Sequence, residues 1–172
     1  MSFLGLIKWL NETPWSVYLR ESELAFPLAE AIHLLGLGVS VGVILWVDLR
    51  LLGLSMRRAQ VTDVIDRLEP WAMGGFLVMM ISGMFLFFGK PETYYTTTAF
   101  RIKMMLLPLA GLNILFFHKK VYPSMAHWNQ AVVPWQGRLV GFLSMTLWLA
   151  IIIAGRWTAY FADPLYTAGI RR

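Results

Sequence analysis

Four unbroken apolar stretches divide the chain, at about Phe26 to Trp46, Pro70 to Phe88, Ala99 to Phe117 and Leu139 to Phe161. Each is about the 20 residues a helix needs to cross roughly 30 Å of hydrocarbon. The apolar positions run on without the in–out alternation of a barrel strand, and turn signals do not recur every ten residues or so. A segment in lipid must satisfy its own backbone hydrogen bonds, which leaves helix. The pattern predicts an all-α fold, an integral membrane four-helix bundle with spans near 26–48, 70–89, 99–118 and 138–161.

The polar and special residues between these runs set the expected ends. Pro27 and Pro70 sit where a first helical turn begins, a position that tolerates the missing N–H. Gly89, Lys90 and Pro91 close the second span, and Gly137 with Arg138 opens the fourth. Pro108 lies inside the third span and should bend it. Thr62 to Glu69 reads as a separate short helix with Thr62 as its N-cap. Residues 1–25 read as an interfacial amphipathic segment, with short helices over Ser2 to Leu10 and Pro14 to Leu19 lying on the membrane surface. Lys8 interrupts the only apolar run there and no small-residue cleavage site follows, so this is not a secretory signal. Residues 162–172 form a tail. Trp9, Trp15, Trp46, Trp71, Tyr94, Tyr95, Trp128, Trp135, Trp157 and Tyr160 fall at or near segment ends, where an aromatic belt belongs.

Composition agrees with the pattern. Of 172 residues, 58% are hydrophobic and 15% charged, against about 25% charged in a soluble domain. Mean hydropathy is +0.59. The absence of cysteine removes disulfides, Cys-ligated zinc, iron–sulfur clusters and thiol nucleophiles. The net charge of +5 reads as membrane anchoring on anionic lipid. It does not read as a nucleic-acid surface, because no basic stripe runs along a soluble face. Loops 48–69 and 118–138 carry seven Lys and Arg, and the opposite side carries five. That bias, led by Arg57 and Arg58, places those loops in the cytoplasm and both termini in the periplasm of a bacterial inner membrane.

Ionisable groups inside a bilayer are expensive, so each is a functional candidate. Here they are Glu30, His33, Asp48, Arg101, Lys103, His118 and Arg156, with the polar Asn113. His33 lies about 9 Å into the first span, and Glu30, three residues earlier, shares its face. Gly36, Gly38, Ser40 and Gly42 follow it. Small residues there admit either a neighbouring backbone or a flat macrocycle, and haem iron commonly takes an axial His. Arg101, Lys103 and Arg156 fall at the same depth and complete a candidate layer with His33 and Glu30. Such a layer suits haem propionates, a quinone carbonyl or another anionic head group. The alternative is that the cations snorkel to the interface, with Arg156 pairing with Asp163 or Glu30.

Three histidines are too few for the two His pairs of a dihaem bundle. His118 lies about a membrane thickness from His33. A haem at His33 would need Met79, Met80, Met84, Met104 or Met105 opposite it, or would stay five-coordinate. Glu30-x-x-His33 resembles half of a di-iron carboxylate site, but the other half is missing. Ten methionines raise a copper reading, since thioethers suit Cu(I); they also read as ordinary packing. Asp48 and Arg50 read as an ion-paired cap, and Asn113 as an interhelical hydrogen bond. No nucleophile–base pair, phosphate loop or zincin motif is present.

These residues resemble a loose group of small bacterial four-helix membrane proteins. It includes copper-resistance D-type proteins, HemJ-type membrane protoporphyrinogen oxidases and several uncharacterised families. The resemblance rests on His33-Leu-Leu-Gly-Leu-Gly followed by Trp46, on Ser82-Gly83, and on Phe100-Arg-Ile-Lys103-Met-Met-Leu-Leu. Phe26-Pro-Leu-Ala-Glu30-Ala-Ile-His33 and Asp48-Leu-Arg-Leu-Leu-Gly53 resemble one of the uncharacterised families most. The outline covers most of residues 26–161. It implies a haem- or metal-related redox role carried by His33 and Lys103, with His33 as the metal ligand. Two departures matter. The oxidases follow their fourth-helix Arg closely with Asn-Glu, whereas Arg138 is followed by Leu-Val-Gly-Phe. Copper importers carry a His- or Met-rich periplasmic segment that this chain lacks. The expectation is an accessory subunit of a membrane electron-transfer complex, with other membrane subunits as partners and one haem b or a quinone near His33. The alternatives are a cofactor-free structural subunit and a copper-related protein.

Overall fold

The computed structural model describes residues 3–56, 58–127 and 133–161. Arg57, Trp128, Asp163, Arg171, Arg172 and the tail therefore lie outside the described residues, as does the His127 side chain. Seven α-helices are present among them: α1 (Phe3–Asn11), α2 (Pro14–Glu21), α3 (Ala25–Leu51), α4 (Val61–Gly89), α5 (Pro91–Thr96), α6 (Thr98–Phe116) and α7 (Trp135–Phe161). A π-helical turn, Phe117–Val121, and a 3₁₀ turn, Tyr122–His127, prolong α6. No strand occurs among the described residues. Four segments are long and apolar enough to cross a membrane: α3, α4, α6 with its extension to Met125, and α7.

These four helices bury one another through small residues. The closest approach joins α3 and α4, which share the largest interface. A Cβ built on Gly75 would lie 2.7 Å from the Ser40 nitrogen, and one on Gly36 would lie 3.0 Å from the Gly75 oxygen. Glycines at these two positions let the backbones touch, which in lipid replaces hydrophobic burial as the packing force. Gly38 and Gly42 face open space. On α7 the buried residues include Gly137, Gly141, Ser144, Trp148, Ile151, Ala154 and Thr158. Their three- and four-residue spacing marks one stripe of a helix, and it packs against α3 and α6. Val41, Met79, Ala110, Trp148 and Ile151 form a mid-bundle core cluster. A second cluster, with Leu51, Ile65, Phe117 and Val121, closes the end where the long loops lie.

Two expected boundaries move. Thr62 to Glu69 is not a separate helix, and Thr62 is not its cap. Gln60 is the N-cap of a continuous α4 that runs through Pro70. Proline costs that helix a hydrogen bond. However, Val61, Val64 and Ile65 are buried at the loop end, and their packing holds the first turns in line with the span. α3 ends three residues beyond the expected 48, at Leu51. Gly53 takes a left-handed φ of 75°. Its N–H bonds to the Arg50 carbonyl at 3.0 Å and the Leu54 N–H to the Leu49 carbonyl at 2.9 Å, which together close the helix as a Schellman motif.

Two N-terminal helices form close to the expected segments, over Phe3–Asn11 and Pro14–Glu21, and they pack against the bundle. Ile7 and Leu19 are 4% and 6% exposed, and α1 contacts α4 and α5 while α2 contacts α3 and α4. Thr13 caps α2 by accepting from the Ser16 N–H at 3.3 Å, with Pro14 in the first turn. The α1–α2 platform covers the end of the bundle that carries His33.

Candidate functional site

His33 projects from α3 toward α4. Its Nδ1 lies 3.2 Å from Ser82 Oγ. The Ser82 hydroxyl donates to the Val78 carbonyl at 2.6 Å, so toward His33 its oxygen can only accept. That assigns the proton of a neutral imidazole to Nδ1 and leaves Nε2 with a lone pair. The ring rests on Gly83, where an added Cβ would lie 3.0 Å from Cε1. The space that the glycine opens is thus filled by the imidazole itself.

Lys103 approaches from α6. Its ammonium is close enough to act electrostatically on the His33 ring, and Nζ and the end of its stem lie against Gly155 of α7, 3.6–3.9 Å from where a Cβ would be. Lys103 is half-buried and makes no ion pair among the described residues. His33 and Ser82 therefore form a polar pair between α3 and α4, and Lys103 of α6 lies within electrostatic range of it.

The rest of the expected layer separates. Glu30 is exposed, and its charge falls on Tyr94 of α5. Burial, with that carboxylate second, pushes the Tyr94 phenol up to about 12. Arg101 is exposed, donates to the Tyr95 carbonyl at 2.9 Å and lies over the Tyr95 ring at 5.3 Å. Arg156 is exposed and takes the Tyr160 hydroxyl and ring as its partners. Both arginines stand at the periphery. The reason is helical rotation, since Arg101 and Lys103 are two residues apart and point about 200° away from each other.

The remaining candidates go elsewhere. Asp48 faces Ser144 of α7, whereas Arg50 donates to the Ala59 carbonyl at 2.7 Å, so the two take different partners. Asn113 bonds across to the Val140 carbonyl at 3.3 Å, as an interhelical amide should. His118 Nε2 lies 3.5 Å from Glu69 Oε1 at the loop end.

Of the methionines expected as partners for a haem at His33, Met79 is 6% exposed inside the core cluster, while Met80, Met84, Met104 and Met105 are exposed. Among the described residues no three His or carboxylate groups gather. Gly36 is spent on backbone packing and Gly83 on the ring. What the group offers is a cation and a polarised imidazole, both suited to a ligand oxygen. Sequence reasoning found His33 and Lys103 but gave Ser82 no role. Its signal was a lone hydroxyl within the apolar run of Leu77 to Phe88.

The fold and its polar interior thus define a small, multi-pass helical membrane protein. The chain belongs to a family of unknown function, DUF6644, which matches residues 8–161. No curated protein matches the chain, and no solved structure does.

Proposed function

We propose that the chain is an accessory subunit of an electron-transfer complex in the bacterial inner membrane, and that His33 and Lys103 hold a quinone-type carbonyl near the periplasmic face. The observation that carries this is Lys103, a half-buried ammonium inside a span with no ion pair among the described residues. An unpaired charge in a bilayer is costly and marks a ligand or ion pathway. A carbonyl oxygen satisfies the ammonium, and His33 Nε2 can take the proton of the reduced, hydroxylated form.

The test is a titration of a short-tailed benzoquinone into the protein in nanodiscs. A hydrogen bond from a charged donor contributes about 1.5–3 kcal/mol, so Lys103→Met should weaken binding by at least about tenfold. Equal affinity of wild type and variant would remove the reading. Mild-detergent purification should recover a stoichiometric redox partner, and a lone monomer would count against the subunit role. A Soret band lost in His33→Ala would restore the haem.

A further inference from the structure

α4 and α6 share no large interface, and between them, toward the loop end, lies a cavity of about 300 Å³. Its walls come from α3, α4, α7 and the end of α6, with Ile44, Val47, Phe76 and Trp148 among the apolar surfaces. Two oxygens interrupt that lining. Asp48 Oδ2 and Ser40 Oγ belong to side chains 3% and 0% exposed, and neither atom has a hydrogen-bond partner. A buried acceptor left unmatched costs about 1–3 kcal/mol, and more when charged. The Asp48 oxygen calls for a donor, whereas the Ser40 hydroxyl can either donate or accept.

The charge on the walls selects which donor. Among the described residues, Asp48 and Glu69 are the carboxylates that line the cavity, and the one basic lining residue, His118, is already set against Glu69 at 3.5 Å. The π-helical turn over Phe117–Val121 places His118 there. The cavity therefore favours a cation, which is the reverse of the His33–Lys103 group at the other end. Its apolar walls and its opening between two membrane helices favour a lipophilic body arriving from the bilayer. Asp48 lies eight residues beyond Ser40 on α3, about 12 Å along the helix axis, so a molecule anchored at Asp48 and filling the cavity is elongated, and an aromatic end offers the Ser40 hydroxyl its ring face as a weak acceptor.

We propose that this cavity binds an elongated lipophilic amine, with its ammonium on Asp48 and its apolar body running between α4 and α6 toward Ser40. The site is separate from the quinone reading and survives its failure. The experiment titrates 4-phenylbutylamine, and in parallel 4-phenylbutanol, into the full chain in nanodiscs, with binding followed by calorimetry. The amine should bind at least tenfold tighter than the alcohol, and Asp48→Asn should abolish that preference. Should Asp48→Asn fail to fold, Ala72→Phe, which fills the cavity wall, should remove amine binding while leaving quinone binding at Lys103 unchanged. Amine and alcohol binding alike to wild type would show an apolar void filled by lipid and overturn the proposal. So would amine binding that persists in Ala72→Phe, or no amine binding at all.

Discussion

Gly75→Ala is the sharpest test of how the bundle is held together. The new Cβ would sit 2.7 Å from the Ser40 nitrogen, 3.0 Å from the Gly36 oxygen and 3.1 Å from the Ser40 Cα. All three are backbone atoms and cannot rotate away. An ordinary carbon contact is about 3.5 Å or more, so α3 and α4 must separate by most of an ångström along their largest interface. Overpacking of this kind costs about 1–3 kcal/mol, occasionally more. The neighbouring Gly74 is the internal control, because a Cβ there meets nothing within 4 Å. Gly74→Ala should be neutral or stabilise by up to about 1 kcal/mol through helix propensity. The assay is reversible unfolding in mixed micelles, with both variants measured side by side. If Gly75→Ala unfolds at the same denaturant level as Gly74→Ala, backbone contact between α3 and α4 does not hold the bundle.

Other outcomes follow from the same structure. Trp148→Ala should cost about 3–5 kcal/mol, because the ring is 2% exposed at the centre of the bundle; the same unfolding assay reads it, and a cost under 1 kcal/mol would contradict the packing. Pro70→Ala should stabilise α4, since it restores the missing backbone bond at an exposed position; a loss of stability would restore the separate short helix. Imidazole ¹⁵N spectra should show the neutral His33 protonated at Nδ1, and an Nε2-protonated ring would break the Ser82 contact. Tyr94 should titrate near 12 rather than 10, read as the difference between wild type and Tyr94→Phe in an alkaline ultraviolet titration. Because the folded value is the raised one, its contribution to stability is complete below pH 10 and is lost as pH climbs toward 12.

The spans were legible because a run of about 20 apolar residues has few other solutions. Their ends were less so. Pro70 carries a start signal by itself, but Val61, Val64 and Ile65 gain more from packing at the loop end than the helix loses at the proline. Gly53 gave no warning of α3's extension, since its left-handed turn depends on Leu49 and Leu54 meeting across the cap. His33 and Lys103 stood out as ionisable groups in a lipid-soluble chain. Their companions did not, because companionship depends on helix rotation. Arg101 shares the depth of Lys103 yet points away, whereas Ser82 reaches His33 from 49 residues further along the chain. The Asp48 cavity was out of reach of any linear reading, since its walls come from all four spans and from the turn that prolongs α6.

The central functional claim is that the His33–Lys103 group is where a quinone sits, and photoaffinity labelling tests it at the residue level. An azido-benzoquinone is irradiated with the protein in native membranes and the adducts are mapped by peptide mass spectrometry. Adducts should concentrate on α3 around His33 and on α6 around Lys103, and be lost in Lys103→Met. Adducts scattered over the lipid-facing surfaces of all four spans, and unchanged in the variant, would contradict it.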